Sequence, residues 1–241
     1  MDESIRVGVD VGGTFTDVVL VADGEVTTAK VPTAEIESEG VVTGIRAACR
    51  DADVDPDSID AFRHATTVAV NALLEDTVAD AALVTTAGFA DVIEIGRQSR
   101  PDLYDPAATR PDPLVPSERR YEVPERASTD GIEDSVDEST VERIADEITA
   151  DAVAVSFLHA YAHPENERRA AAILRDHLDV PVVASHEVLP AFREYERTAT
   201  TAADAALAPV VETYLDELDE QVATADLPTP RIMQANGGIA E

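Results

Sequence analysis

The stretch DVGGTFTD, residues 10–17, is the first place along the chain where residue types suited to binding chemistry occur together. Gly12 and Gly13 let a ligand approach the backbone, and successive N–H groups can form a concave site for a phosphate. Thr14 and Thr16 would add hydroxyl donors. Apolar residues alternate on both sides, so the stretch is predicted to link two strands. A plain hairpin turn is the alternative, since glycines also permit the positive φ angles of tight turns.

The negative charge of a bound phosphate would need a cation from outside this loop, which contains no lysine. The pattern is not a Walker loop, which ends in GK[ST] before a helix, and it does not match a GxGxxG turn. Asp10 lies at the end of the preceding strand, where its carboxylate could hold Mg²⁺ through water. The residues therefore predict that 12–16, with Phe15 among them, form a phosphate-binding hairpin. Asp10 is predicted to hold the magnesium ion.

A second polar cluster follows a short predicted strand. His64, Thr66, Thr67 and Asn71 lie where this strand leads into a helix. Ligands of α/β sheets commonly bind at this edge, so Thr66, Thr67 and Asn71 are candidates for substrate contact. Capping of the helix by a threonine, with a structural Asn71, is the alternative.

A third cluster, EIGRQ, precedes a proline-rich segment and contains Glu94, Arg97 and Gln98. The planar guanidinium of Arg97 could bind a substrate carboxylate or imide oxygen through two hydrogen bonds. Gln98 is a candidate for substrate contact beside it. A solvated helix end explains the same residues without any ligand.

A fourth cluster, FREYERTATT, places Arg193 and Arg197 one helical turn apart, with Glu194 and Glu196 between them. A surface ladder of ion pairs is the ordinary explanation of this spacing. Basic residues are scarce in this chain, so the alternative is that the cluster faces a cleft. On that interpretation Glu194 and Arg197 join Asp10 and Arg97 as catalytic candidates.

Two histidines, His159 and His163, have the i, i+4 spacing of a helical metal site. Pro164 disfavours a helix there, so we expect exposed histidines instead of metal ligands.

The composition excludes several classes of function. The chain has 241 residues, with 49 acidic against 18 basic side chains and a formal net charge of −31. No basic patch exists to bind nucleic-acid phosphates. Hydrophobic residues make up 44% and are interleaved with the acids, which favours a folded, acid-coated surface suited to high salt over disorder. No apolar run approaches the ~20 residues that span a bilayer, and the start lacks signal-peptide features, so we expect a cytoplasmic protein.

Alternating strand and helix patterns must position these clusters. Strands are predicted at 5–11, 17–21 and 26–31, and a helix at 36–50. Residues 101–124 hold six of the 14 prolines and are predicted to be an irregular insertion. A long helical region is expected from about 192 to 222, interrupted near Pro209. The pattern predicts an α/β fold whose mixed sheet begins with an antiparallel three-strand meander, with helices on both faces.

Several stretches together resemble the N-terminal part of the hydantoinase A/5-oxoprolinase family. They are DVGGTFTDVV, HATTVAVNALLE, ALVTTAGFADVIEIGRQSRPDLYD, EVLPAFREYERTATTAADAAL and MQANGG, in this order along the chain. The resemblance implies a lobe of the actin-like ATPase (ribonuclease H-like) fold, shared with sugar kinases and chaperone ATPases. Residues 1–190 would then form the nucleotide-binding lobe, and 191–241 would begin the family's core region.

The resemblance also implies an activity. Such proteins use ATP and Mg²⁺ to open cyclic amides or imides, and phosphorylation activates the carbonyl oxygen. A small-molecule kinase, a carboxylase subunit and a non-catalytic partner-binding lobe are the alternatives. Family chains are longer and carry a second phosphate hairpin, so we expect this chain to be a truncated portion. The expected partner is a hydantoinase B-like subunit or the missing C-terminal lobe.

Overall fold

The computed structural model describes residues 4–34, 37–99, 102, 104–105, 107–233 and 238–240. The chain divides into two compact units. Unit 1 comprises Met1–Thr77 and Val210–Glu241, and unit 2 comprises Val78–Pro209.

Unit 1 is built on a six-stranded sheet. Its elements are β1 (Arg6–Val11), β2 (Phe15–Ala22), β3 (Glu25–Pro32), α1 (Glu37–Ala52), β4 (Ala61–Thr66), α2 (Val68–Leu74), β11 (Pro230–Met233) and β12 (Ile239–Ala240). The strand order is β12-β11-β4-β1-β2-β3. Strands β1, β2 and β3 form an antiparallel meander, whereas β4 pairs parallel with both β1 and β11.

The sequence alternation explains the core of unit 1. Val7, Val9 and Val11 of β1 are buried, as are Val18 and Leu20 of β2. Their side chains share one face of the sheet because successive residues of a strand point to opposite faces. Buried residues of α1 and of the second half of helix α7 (Glu194–Thr224) complete this core, namely Val41, Ile45, Ala48, Tyr214, Leu218 and Val222.

The meander is closed by a tight turn at Asp23 and Gly24. Their φ angles are 53° and 80°, the two positive values that a type I′ hairpin turn requires. This turn fixes the register of β2 against β3.

Unit 2 is built on a four-stranded parallel sheet with order β10-β9-β5-β6. Its elements are β5 (Ala81–Thr86), α3 (Val92–Ile95), β6 (Arg120–Val123), β7 (Arg126–Ala127), β8 (Ile132–Asp134), α4 (Glu138–Glu147), β9 (Ala152–Ser156), α5 (Glu165–His177), β10 (Val182–Ala184), α6 (Ser185–Val188) and the first half of α7. Every residue of β5 and of β9 is buried, as expected for strands covered on both faces.

Helices cover both faces of this second sheet. Helices α4 and α5 pack on one face with Val84 and Val155, and Ala202, Ala205 and Ala206 of α7 pack on the other. The predicted α/β class, with its initial meander, is confirmed. The strands form two main sheets instead of one, and helices on both faces are found in unit 2.

Other predicted elements differ in detail. Arg120–Val123, expected within the irregular insertion, form β6, because β5 offers them a parallel partner edge. Helix α7 continues through Pro209, where an interruption was expected. The compact units do not divide at residue 190, so the predicted lobe boundary there remains an expectation from the family resemblance. Residues 234–237 of MQANGG lie outside the described residues.

Candidate functional site

The predicted phosphate hairpin of unit 1 is a tight turn between β1 and β2. The Gly12 N–H donates to the Phe15 carbonyl at 3.1 Å, which closes the turn over Gly13 and Thr14. Neither glycine has a positive φ angle, so what glycine provides here is free space above the backbone. Gly13 and Thr14 are exposed, and within the described residues their N–H groups have no hydrogen-bond partner. Two adjacent unpaired N–H groups are a suitable arrangement for an anion.

Neighbouring elements hold this turn in place. The Thr33 hydroxyl donates to the Gly12 carbonyl at 2.8 Å, and the Thr33 N–H donates to the Thr14 carbonyl at 3.0 Å. Thr33 was not predicted as a site residue. It follows directly after β3, the strand that pairs with β2. This position in the meander could have identified Thr33 as a residue close to the turn.

The structure brings part of the second polar cluster to the same turn. The Thr67 hydroxyl donates to the Val11 carbonyl at 3.2 Å, and the Asn71 amide nitrogen lies 3.2 Å from the Thr67 hydroxyl. A Cβ built on Gly13 would lie 3.4 Å from that amide nitrogen. Asn71 and Thr67 therefore flank the turn, and any side chain at residue 13 would press on Asn71.

The other two members of that cluster, Thr66 and His64, make contacts within the fold of unit 1. Thr66 accepts a hydrogen bond from the Val68 N–H at 3.1 Å and so supports the turn that leads into α2, whose N-cap residue is Thr67. His64 is fully buried, and its Nε2 lies 2.6 Å from the Tyr214 hydroxyl. Burial lowers the pKa of His64 to about 4.

Thr16 does not provide a hydroxyl to the loop surface, contrary to the prediction. It is fully buried on the core face of β2, and its hydroxyl lies 3.5 Å from that of Thr33. The strict alternation of β2 causes this, since Thr16 follows the same parity as Val18 and Leu20.

Two acidic residues and the single lysine lie beside the turn. Asp10 is exposed, and it is directly opposite Asp17 in the β1–β2 register. The Lys30 ammonium binds the Asp17 carboxylate at 2.6 Å and lies 5.0 Å from the centre of the Phe15 ring. A lysine therefore reaches the neighbourhood of the hairpin from β3, although the loop itself has none.

A separate cavity of about 520 Å³ lies in unit 2. It contains Arg97 and Gln98 of the third polar cluster, with Glu94 beside them. Ile93, Leu114, Tyr195 and Ala199 supply apolar walls. Arg110 and Tyr195 were not predicted, and only the proline-rich context of Arg110 marked it.

The backbone around this cavity takes unusual conformations. Gly96 ends α3 with a φ of 56°, and a Cβ there would lie 3.4 Å from the Tyr195 ring. Gln98 also has a φ of 56°, which is uncommon for residues other than glycine.

The predicted catalytic candidates Arg197 and Glu194 do not lie in this cavity. Arg197 is only 1% exposed. Its guanidinium donates to the carbonyls of Phe157 and Ala191, both at 2.8 Å, and to the Ser185 hydroxyl at 3.2 Å. Burial lowers the pKa of Arg197. With three structural acceptors it holds loops together and has no exposed face for a substrate. Glu194 is exposed at the start of α7.

The network around Arg197 continues to a buried carboxylate. Glu167 is fully buried and accepts four hydrogen bonds at 2.7–2.8 Å, from the Phe157 N–H, the Ser185 hydroxyl, and the N–H and Nδ1 of His186. A buried carboxyl group requires such partners, so this network is a structural element of unit 2.

A second buried carboxylate in unit 2 is Glu125. It accepts hydrogen bonds from the Thr86 hydroxyl and, at 2.8 Å, from the Asn166 amide. Burial raises the pKa of Glu125 above its ordinary value. Its partners are side chains of the fold, so it too serves the packing of unit 2.

Metal and membrane features are limited among the residues that the structure describes. His159 and His163 are half-buried instead of exposed, and His163 contacts the Thr129 carbonyl at 3.3 Å. No group of three or more potential ligands is found in the described ranges. Likewise, no helix in the described part of the chain has the length and apolar character needed to cross a bilayer.

Comparisons with known proteins agree with the sequence resemblance. The family model for the hydantoinase/oxoprolinase N-terminal region matches residues 6–178. The chain is 37% identical to caprolactamase subunit alpha of Pseudomonas jessenii over 99% of its length, which is 36% of that protein. It is 35% identical to the acetophenone carboxylase gamma subunit of Aromatoleum aromaticum over 83% of its length, which is 31% of that subunit.

A solved structure gives the same result. The crystal structure of ATP-dependent caprolactamase from Pseudomonas jessenii matches 98% of this chain and 36% of its own, with a TM-score of 0.88 and 33% identity. The chain thus spans about a third of the length of these two relatives. The chain belongs to the hydantoinase/oxoprolinase family, whose N-terminal region it carries.

Proposed function

We propose that this chain is the nucleotide-binding portion of an ATP-dependent hydrolase that opens cyclic amides or imides. The observation that carries the proposal is the exposed turn at Gly13 and Thr14, held by Thr33 and flanked by Thr67 and Asn71. The unpaired N–H groups of this turn bind oxygens of the ATP phosphates. Phosphorylation of the substrate carbonyl oxygen makes its carbon a better electrophile for water.

Asp10 fits a magnesium ion. Its carboxylate is exposed, and it lies opposite Asp17 in the β1–β2 register. Carboxylate oxygens are ligands that Mg²⁺ prefers. When bound, Mg²⁺ neutralises charge on the phosphates. Lys30 holds Asp17 and keeps Phe15 in place, which leaves Asp10 available.

The cavity of unit 2 is the candidate substrate site, with Gln98 as the contact residue and with Arg97 and Glu94 in the same lining. Glu194 is exposed but is not part of the cavity lining, so we assign it no substrate contact. Caprolactamase subunit alpha and the acetophenone carboxylase gamma subunit are each named as one subunit of a larger protein. This supports the proposal that the present chain also has a partner, either a hydantoinase B-like subunit or a C-terminal lobe. We place the protein in the cytoplasm, where ATP is supplied.

Titration of the complete 241-residue chain with Mg·ATP, by calorimetry at high salt, tests the nucleotide role. Saturable binding is expected. Gly13→Val should weaken it at least about tenfold, because the new side chain covers the turn and presses on Asn71. Asp10→Asn should weaken the binding of Mg·ATP but should leave the affinity for ATP measured in the presence of EDTA unchanged.

The matched control is Asp51→Asn, which removes one acidic charge from the exposed side of α1 in the same unit. It should bind as the natural chain does. Absence of binding by the natural chain, or equal binding by Gly13→Val, contradicts the nucleotide role.

The likeness to the acetophenone carboxylase gamma subunit favours a carboxylase as the second candidate. Product analysis of the complete protein with its partner separates the alternatives. A ring-opened amino acid supports the hydrolase, a carboxylated product supports the carboxylase, and a stable phosphorylated product indicates a kinase.

A further inference from the structure

Among the described residues that line it, the cavity in unit 2 has equal numbers of acidic and basic side chains. Glu94 and Asp112 are its acidic lining residues, and Arg97 and Arg110 are its basic ones. An anionic ligand therefore meets no net positive charge from the described lining.

Arg97 is already paired. Its Nε lies 2.6 Å from a carboxylate oxygen of Glu196, which belongs to α7. The hydrogen bond from Arg97 lowers the pKa of Glu196, so this carboxylate stays ionised at neutral pH. A substrate carboxylate would have to displace Glu196 or approach its negative charge. Like charges at such distances repel.

Arg110 is occupied in a different way. Its Nη1 donates to the carbonyls of Glu94 and Ile95 at 3.1 and 2.7 Å, at the C-terminal end of α3. The Glu94 carboxylate in turn binds Arg120 at 2.8 Å. Within the described lining, both arginines therefore have protein acceptors.

Gln98 offers the complementary chemistry. It is exposed in the cavity, and its side-chain amide carries both a donor and an acceptor. A secondary lactam presents its N–H and C=O on one edge, because its ring holds the amide in the cis form. The two amides can exchange a pair of hydrogen bonds, and Tyr195 and Leu114 of the lining offer apolar surface to the rest of the ring.

From this arrangement we infer that the cavity takes an uncharged cyclic amide through Gln98 and discriminates against one that carries a carboxylate, with Glu196 as the specificity-determining residue. The inference rests on the proposed function only in the choice of ligand class. Glu196 acts by occupying Arg97, so it is a positioning residue.

The experiment compares ligands that differ by one group. The complete chain is titrated with 2-pyrrolidinone, with 5-oxoproline, which adds a carboxylate to the same ring, and with N-methyl-2-pyrrolidinone, which lacks the N–H. No nucleotide is present. We expect 2-pyrrolidinone to bind at least about fivefold more tightly than either of the others.

Two variants identify the residues. Glu196→Gln should strengthen binding of 5-oxoproline at least about fivefold, because Arg97 is released, and leave 2-pyrrolidinone unchanged. Gln98→Gly should weaken the binding of 2-pyrrolidinone, so that its affinity becomes equal to that of the N-methyl compound. Glycine suits the φ of 56° at this position, so this variant should remain folded, which a thermal melt verifies. The control is Glu217→Gln, which removes a charge from an exposed site on the same helix. It should leave the affinities for 2-pyrrolidinone and 5-oxoproline unchanged.

Equal or tighter binding of 5-oxoproline by the natural chain overturns the inference, as does lack of binding by all three ligands. An unchanged 5-oxoproline affinity in Glu196→Gln overturns the role of Glu196. These outcomes are separable from the proposed function, because Mg·ATP binding to the same samples is measured independently.

Discussion

The imidazole of His64 and the phenol of Tyr214 are joined by a contact of 2.6 Å inside the core of unit 1. These residues are 150 positions apart, so the contact ties β4 to the second half of α7. Nδ1 of His64 is buried and has no partner among the described residues. A charged imidazole is strongly disfavoured in this setting.

The low pKa of His64 makes the stability of unit 1 depend on pH. The folded value is about 4 and the unfolded value about 6.5, so the unfolded state binds the proton more readily. Stability is therefore complete above pH 6.5 and is lost as pH falls toward 4. Between pH 7.5 and 5.5 we expect a loss of about 1 kcal/mol in the free energy of unfolding.

Urea denaturation at the two pH values measures this loss. In His64→Gln, which cannot titrate, this component of the pH dependence should disappear. Equal pH slopes for the two proteins would show that His64 is not responsible.

Replacement of Arg197 by lysine should destabilise the protein. A lysine ammonium cannot serve acceptors on Phe157, Ser185 and Ala191 at once, so buried acceptors are left unpaired. We expect a loss of about 3 kcal/mol in the free energy of unfolding, measured by denaturant titration. The exposed Arg193→Lys is the control and should stay within about 0.5 kcal/mol. A stable Arg197→Lys protein with impaired ligand binding would instead favour a site role.

Two glycines of unit 1 should respond oppositely to alanine. A Cβ on Gly44 would lie 2.7 Å from a methyl group of Val18, so α1 must move away from the sheet. Overpacking costs about 1–3 kcal/mol, and a contact as short as 2.7 Å belongs to the upper part of this range, above the ~1 kcal/mol gain in helix propensity, so Gly44→Ala should be destabilised.

Gly8 is the matched comparison, because nothing lies within 4 Å of its built Cβ. Gly8→Ala should be neutral or more stable by about 0.5 kcal/mol, since the unfolded chain loses freedom. Thermal unfolding of both variants measures the difference. A stabilised Gly44→Ala would contradict the close helix–sheet packing.

Salt should stabilise the protein. The net charge of −31 produces self-repulsion in the compact state, and 1 M salt shortens the screening length from about 10 Å at 0.1 M to about 3 Å. We expect the Tm to rise by at least about 5 °C, corresponding to roughly 2 kcal/mol for a chain of this size. Potassium chloride is compared with sucrose of equal osmolality, and an equal rise in sucrose would exclude screening as the cause.

The meander and the hairpin could be predicted from the sequence because both depend on local features. Alternating apolar residues define β1 and β2, and Asp23 with Gly24 defines the turn. The position of Lys30 opposite Asp17 could also be predicted from the sequence. A two-residue turn at 23–24 places Ala22 opposite Glu25, and counting back from this pair places Asp17 opposite Lys30.

The environment of Arg197 could not be predicted in this way. Arg193, Glu194 and Glu196 precede it, a charge pattern typical of an exposed helix. Its burial is decided by the Phe157 loop and by Ser185, which are distant along the chain. Thr16 was misinterpreted for a different reason, because its residue type suggested a ligand contact while its strand parity places it in the core.

The division of unit 1 between the two ends of the chain has a consequence for biosynthesis. Unit 2 is continuous from Val78 to Pro209, so all of its strands have been synthesised before Tyr214 and β11 are made. At 5–20 residues per second, the apolar side of β4 waits roughly 7–30 s for these partners. Nascent unit 1 therefore exposes sheet core during that interval, when it is open to aggregation or to chaperone binding.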